Sequence, residues 1–225
     1  MNSEPSIVCI DHAALSDLMF WEQVSRAMHQ AGVLRPAPIM LLGSGEEAEA
    51  ATGGMLSSQE RRMGELPVPV DATAAFERVT REQNKAAVFR LTDASVSTVG
   101  LIGADRGLLS MENGNLVAGA FEPVESLAVS GVVCVVSCVA AGHGWTDVHP
   151  VRVAAAIRKT MGWESPYTVM SQRITSSFPE SGMTLSRRGL VELAAEGGLP
   201  EEVACLVDEP VFVEHASRWK PARKS

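Results

Sequence analysis

Three histidines and two aspartates, His12, His143, His149, Asp11 and Asp147, are the side chains of this sequence best suited to acid–base or metal chemistry. Imidazole titrates near neutral pH, and a carboxylate beside it makes a proton-transfer pair or part of a metal site. Their separations match no metal-binding signature such as H-E-x-x-H, so they form a site only if the fold collects their loops. A second candidate is the run Gly43-Ser44-Gly45, whose amides suit an anion at the start of the next helix. Against this, Glu46, Glu47 and Glu49 crowd that first turn, where they complement the helix dipole themselves. Trp145 either packs over such a cleft or simply closes the core edge, and Arg152 suits an ion pair with Asp147 or an acidic ligand.

The cysteines offer less chemistry. Cys9, Cys134 and Cys138 sit inside apolar, strand-like runs, where a reduced thiol behaves as a small hydrophobe. The Cys134–Cys138 spacing is not that of a zinc knuckle or redox pair, and no metal site is expected. The formal net charge of -8 excludes a general nucleic-acid binder, which needs a basic face for phosphates. Arg218, Lys220, Arg223 and Lys224 read as a solvated tail. No apolar run reaches membrane-spanning length and no signal peptide is visible, so the expected location is cytoplasmic.

Several elements must position these groups. Apolar runs at 6–10, 38–42, 97–102, 132–139, 167–172 and 211–214 read as strands, the nearly all-apolar 132–139 as a central one. Helical periodicity covers 18–31, capped by Ser16 or Asp17, then a segment from 46 to Gly53-Gly54. Asp71 looks like the cap of a helix through 87, extendable to 92, and further helices fall at 124–130, 150–161, 185–196 and 201–207. Asn113-Gly114 between two short arms is a hairpin signal, because both residues tolerate positive φ. The segments 55–70 and 140–149 read as irregular. Strands alternating with helices predict a three-layer α/β sandwich with a mostly parallel sheet. We expect one domain over 1–225, with a lobe over 1–160 and a shorter one over 161–225.

In such sheets ligands bind beyond the carboxyl ends of the strands. There, Val99-Gly100-Leu101-Ile102-Gly103-Ala104-Asp105-Arg106-Gly107-Leu108-Leu109 resembles the V-G-L-[ST]-G-x-D-G-G-L-L of amino-acid kinases, the N-acetylglutamate kinase branch in particular. Ile7-Val8-Cys9-Ile10 resembles V-V-K-I-G-G, Gly43-Ser44-Gly45 the V-H-G-G-G loop, and Val153-Ala154-Ala155-Ala156-Ile157 the helix after N-x-N-A-D. Gly198-Leu199-Pro200-Glu201 is similar to G-M-I-P-K, and the matches share their order across nearly the whole chain.

The resemblance implies a fold built for phosphoryl transfer to a carboxylate, with two lysines and an aspartate stabilising the charge that develops. Here those positions hold Cys9, Glu201 or Glu202, and Val151. Asp11 and His12 replace the paired glycines, Val68-Pro69-Val70 stands where a substrate arginine is expected, and Ser171-Gln172 replaces a nucleotide-side Thr-Asp. The expectation is a non-catalytic relative with no cofactor, binding a small metabolite or a protein, for instance a true amino-acid kinase. Ligand candidates are Gly43, Ser44, Gly45, Asp11, His12, Asp147 and His149. The alternative is a divergent ATP/Mg-dependent acyl-phosphate-forming kinase of the acetylglutamate step of arginine synthesis, its cations supplied by Lys85, Arg106, Arg152 or Lys159. A homodimer is expected by resemblance.

Overall fold

A computed structural model describes residues 4–10, 12–44, 46–51, 64–171, 183–196, 199, 201–207 and 210–221. Side chains of 12, 13, 46, 47, 49, 171, 183, 201 and 202 lie outside the description.

Strands β1 (Ile7–Ile10), β2 (Ile39–Leu42), β4 (Thr98–Ile102), β7 (Val133–Ser137), β10 (Thr168–Ser171), β11 (Met183–Leu185) and β12 (Val211–His215) make a seven-stranded sheet. Its order is β11-β12-β10-β1-β2-β7-β4, parallel except for the β11–β12 pair. The chain leaves β1 toward β2 and later returns to its other side as β10, so the order reverses at β1. β1, β2 and β7 are buried at every position, as strands covered on both faces must be.

Alternation sorts the strand residues between two cores. Val8, Ile10, Met40, Leu42, Val133 and Val135 meet Phe20, Trp21, Val24 and Met28 of α2 (Leu18–Ala31) and Ala87 and Leu91 of α4 (Thr73–Asp93). Ile7, Cys9, Ile39, Leu41, Cys134 and Val136 meet the opposite layer. That layer holds α5 (Glu122–Val129), α6 (Pro150–Met161), α7 (Arg187–Ala195) and α8 (Glu201–Leu206). Two short helices, α1 (His12–Leu15) and α3 (Glu46–Ala51), follow β1 and β2.

A second sheet, β3-β9-β8-β5-β6, joins β3 (Glu65–Pro67), β5 (Leu109–Glu112), β6 (Asn115–Ala118), β8 (Val139–Ala141) and β9 (Trp145–Val148). It departs from the sequence reading in two places. The run 132–139 is not one strand: it breaks at Cys138, whose N–H bonds Leu42 O, and the chain crosses into the second sheet as β8. Two stretches read as irregular contain β3 and β9, which pair antiparallel with each other. Neither shows the continuous apolar run of a central strand, because short strands held by partners distant in sequence need little propensity of their own.

Other boundaries shift for local reasons. Asp17 caps α2, its carboxylate accepting the N–H groups of Met19 and Phe20 at 2.7 and 3.2 Å. Asp71 does not cap α4; Ala72 holds that position without a side-chain bond, while the Thr73 hydroxyl donates to Pro69 O at 3.0 Å. The Asn113-Gly114 hairpin is present, with φ of 51° and 76°. The helix expected from 185 begins at Arg187, after a three-residue strand, β11, that takes in Leu185.

Candidate functional site

The carboxyl ends of β1, β2 and β7 open on one edge, and the chain places four of the sequence-selected residues there. Gly43 and Ser44 follow β2, and the β9–α6 junction brings in Asp147 and His149. Asp147 is carried by the second sheet, between Leu66 of β3 and Val139 of β8 in register, and is 8% exposed. The Ser44 hydroxyl donates to Asp147 Oδ2, a contact spanning 103 residues of sequence. A hydrogen bond to a carboxylate is charge-assisted, and it holds the post-β2 loop against the second sheet. The Gly43 N–H is directed to Ile10 O at 3.2 Å.

His149 serves the next element. Its Nδ1 accepts the Val151 N–H at 3.3 Å, so the imidazole caps α6 with Pro150 in the first turn. His143 lies exposed in the turn between β8 and β9, outside this contact. Asp11 and Gly45 lie outside the described residues, as does the His12 side chain, whose backbone opens α1.

Beneath the edge the groups are neutral. Cys9 is 2% exposed and flanked in register by Leu41 and Val169. Burial pushes its thiol far above the usual range, so it carries no charge at neutral pH. Cys138 is raised as well, first by burial and then by the nearby Cys9 and Asp147. Val151, 1% exposed, adds its isopropyl group to the same core from the first turn of α6, which packs across β1 and β2. Glu201 starts α8, its side chain outside the description.

The cations of the alternative reading are placed elsewhere or engaged. Arg152 donates to Glu65 Oε1, tying α6 to β3. Lys85 and Lys159 are exposed on α4 and α6, and Arg106 occupies the turn after β4 with φ of 56°. Sequence reasoning overlooked Arg81. It forms a two-pronged pair with Asp105 (both 3.0 Å), bonds Glu77 at 3.0 Å and lies 5.8 Å above Trp145, which packs edge-on against Phe76. These bonds raise the guanidinium pKa still further and pin α4 to the turn of the resemblance motif. The only signal for it was an acid at 105 and a base on a long helix, which many surface pairs share.

The described residues at this edge do not fit a magnesium nucleotide. Phosphates there would meet a buried neutral thiol, an isopropyl group and a carboxylate, and the Gly43 amide is already bonded. Among the described residues, no group of three or more His, Cys, Asp and Glu side chains is placed to hold a metal ion, and no helix is long and apolar enough to cross a membrane.

No family model matches the sequence, and no curated protein matches it either. Solved structures do. An isopentenyl phosphate kinase aligns over 92% of this chain and 98% of its own, with a TM-score of 0.57 and 13% identity. Aspartate kinase from Synechocystis aligns over 96% of this chain but 39% of its own, at 0.59 and 12%. N-acetylglutamate synthase from Neisseria gonorrhoeae, complexed with coenzyme A and N-acetyl-glutamate, aligns over 90% and 50%, at 0.54 and 15%. At such identities the likeness is one of fold. The chain has the α/β fold of the amino-acid kinases, with its mostly parallel sheet between helical layers.

Proposed function

We propose that this chain is a non-catalytic protein of the amino-acid kinase fold, nearest in its motifs to N-acetylglutamate kinase, that binds a small metabolite or a protein partner. One observation carries the reading. Where phosphoryl transfer needs an ammonium group at the end of the first strand, Cys9 presents a thiol sealed between Leu41 and Val169. Val151 in the core and Asp147 at the edge support it, because neither neutral carbon nor negative charge stabilises phosphoryl oxygens.

The same groups define what the edge accepts. A carboxylate at this edge disfavours phosphate, so the metabolite of this reading is not a nucleotide.

Calorimetric titration of the full chain with Mg-ATP, with and without N-acetylglutamate, tests the proposal beside an assay for ADP release. The expected result is no saturable heat and no ADP above the protein-free blank. Saturable nucleotide binding with ADP release overturns it in favour of the divergent kinase.

A further inference from the structure

Buried polar side chains of this fold are matched with partners. Asn84 bonds Leu101 O, Asp147 accepts the Ser44 hydroxyl, and Ser25 donates to Arg90 O at 3.4 Å. His215 Nδ1 lies 2.7 Å from the Ser217 hydroxyl. Glu214 breaks the pattern. It is 8% exposed, and its Oε1 is sealed from solvent with no hydrogen-bond partner. Thr80 Oγ1 and Arg158 Nε share that omission, but the first is a neutral hydroxyl. The second belongs to a guanidinium whose Nη2 donates to Glu164 O at 3.1 Å.

The register shows what the carboxyl group faces. Glu214 is the next-to-last residue of β12 and pairs with Met170 of β10, which pairs with Ile10 of β1. All three share the sheet face turned toward α2, where Ile10 and Met170 belong to one apolar cluster with Ala14, Ala216 and Trp219. Because β12 runs parallel to β10 and β1, Glu214 stands at the carboxyl ends of the strands, where α/β sheets bind ligands. Three strand spacings, about 14 Å, separate β12 from β2, so this carboxyl group and the Ser44–Asp147 pair do not converge on one ligand atom.

A carboxyl group in this setting is costly in either form. Ionised, it has no counter-charge in an apolar layer; neutral, it leaves an oxygen without a donor. An apolar side chain of similar volume would fill the same space at lower cost. A polar group that lowers stability, placed at the ligand-binding end of the sheet, is explained by a ligand that completes it.

We propose that Glu214 is the recognition carboxylate of a binding site for a protonated primary amine carried on a short apolar stem. An ammonium group supplies both the charge and the N–H that Oε1 lacks. Met170, Ala216 and Trp219 suit the stem, and an indole is the ring that cations favour. A metal ion fits less well, because no group of three or more His, Cys, Asp and Glu side chains is assembled among the described residues. The inference rests on the reading that this chain binds a metabolite, and it gives that metabolite its chemical class.

Thermal unfolding of the full chain with n-butylammonium chloride tests it, with sodium butyrate and sodium chloride at matched ionic strength as controls. The expected result is a saturable rise in Tm with the amine and none with either salt. Glu214→Gln keeps the shape and weakens the response about tenfold or more. Glu214→Met abolishes the response yet raises the urea midpoint of the unliganded chain, an effect opposite in sign to misfolding. A wild-type chain indifferent to the amine overturns the proposal, as does a response that Glu214→Gln retains in full. ADP release beside an intact amine response overturns the non-catalytic reading alone.

Discussion

Cys9 concentrates the functional argument in a single side chain. The strand pattern of Ile7-Val8-Cys9-Ile10 locates it, and the register with Leu41 and Val169 shows why a charge there is costly. A lysine at this position brings an ammonium group into an apolar layer. Cys9→Lys is expected to destabilise the protein by about 3 kcal/mol or more, read from urea unfolding, without generating ADP release. Turnover in that variant contradicts the site assignment. The Ser44–Asp147 bond is the counterexample for legibility. Both residues were candidates, but nothing in a separation of 103 positions signals that they touch.

At the scale of elements, the motif that carried the resemblance proves to be architectural. Asn84, buried in α4, directs its amide Nδ2 to Leu101 O, Val135 O and the Ser137 hydroxyl at 3.1, 3.1 and 3.0 Å, stitching the helix to β4 and β7. Gly100 leaves it room: an added Cβ would come within 2.1 Å of Asn84 Oδ1 and 2.9 Å of Val88. Gly103 likewise faces the backbone oxygens of Val139 and Ser137, at 2.5 and 2.8 Å from such a carbon. Gly100→Ala is expected to cost about 2–3 kcal/mol, an overpacking penalty. Most of that cost disappears when Asn84 is already alanine, giving a coupling of about 1 kcal/mol or more in a double-mutant cycle. Independent, additive costs refute the contact. These glycines serve packing, so the motif marks the fold.

Across the whole molecule, three buried thiols set an alkaline limit. Burial raises Cys134 to about 11 and holds Cys9 and Cys138 well above the ordinary thiol range. Unfolded thiols titrate near about 8.5, so above that pH the unfolded chain binds fewer protons than the folded one. Stability is then full below about pH 8.5 and falls as pH rises, by about 1.4 kcal/mol per unit for each thiol kept protonated only by folding. The urea midpoint should drop between about pH 8.5 and 10.5, and less steeply in Cys134→Ala. A flat profile there refutes the burial of these groups.

Periodicity, turn glycines and apolar runs determined the layers, the parallel sheet and the hairpin at Asn113-Gly114. These are local properties, encoded in neighbouring residues. Tertiary structure alone decided that 132–139 divides between two sheets, that β3 pairs with β9, that Ser44 binds Asp147 and that Arg81 grips Asp105. Each of these joins elements across a loop or through space, and the energy that selects it comes from partners the local sequence does not contain.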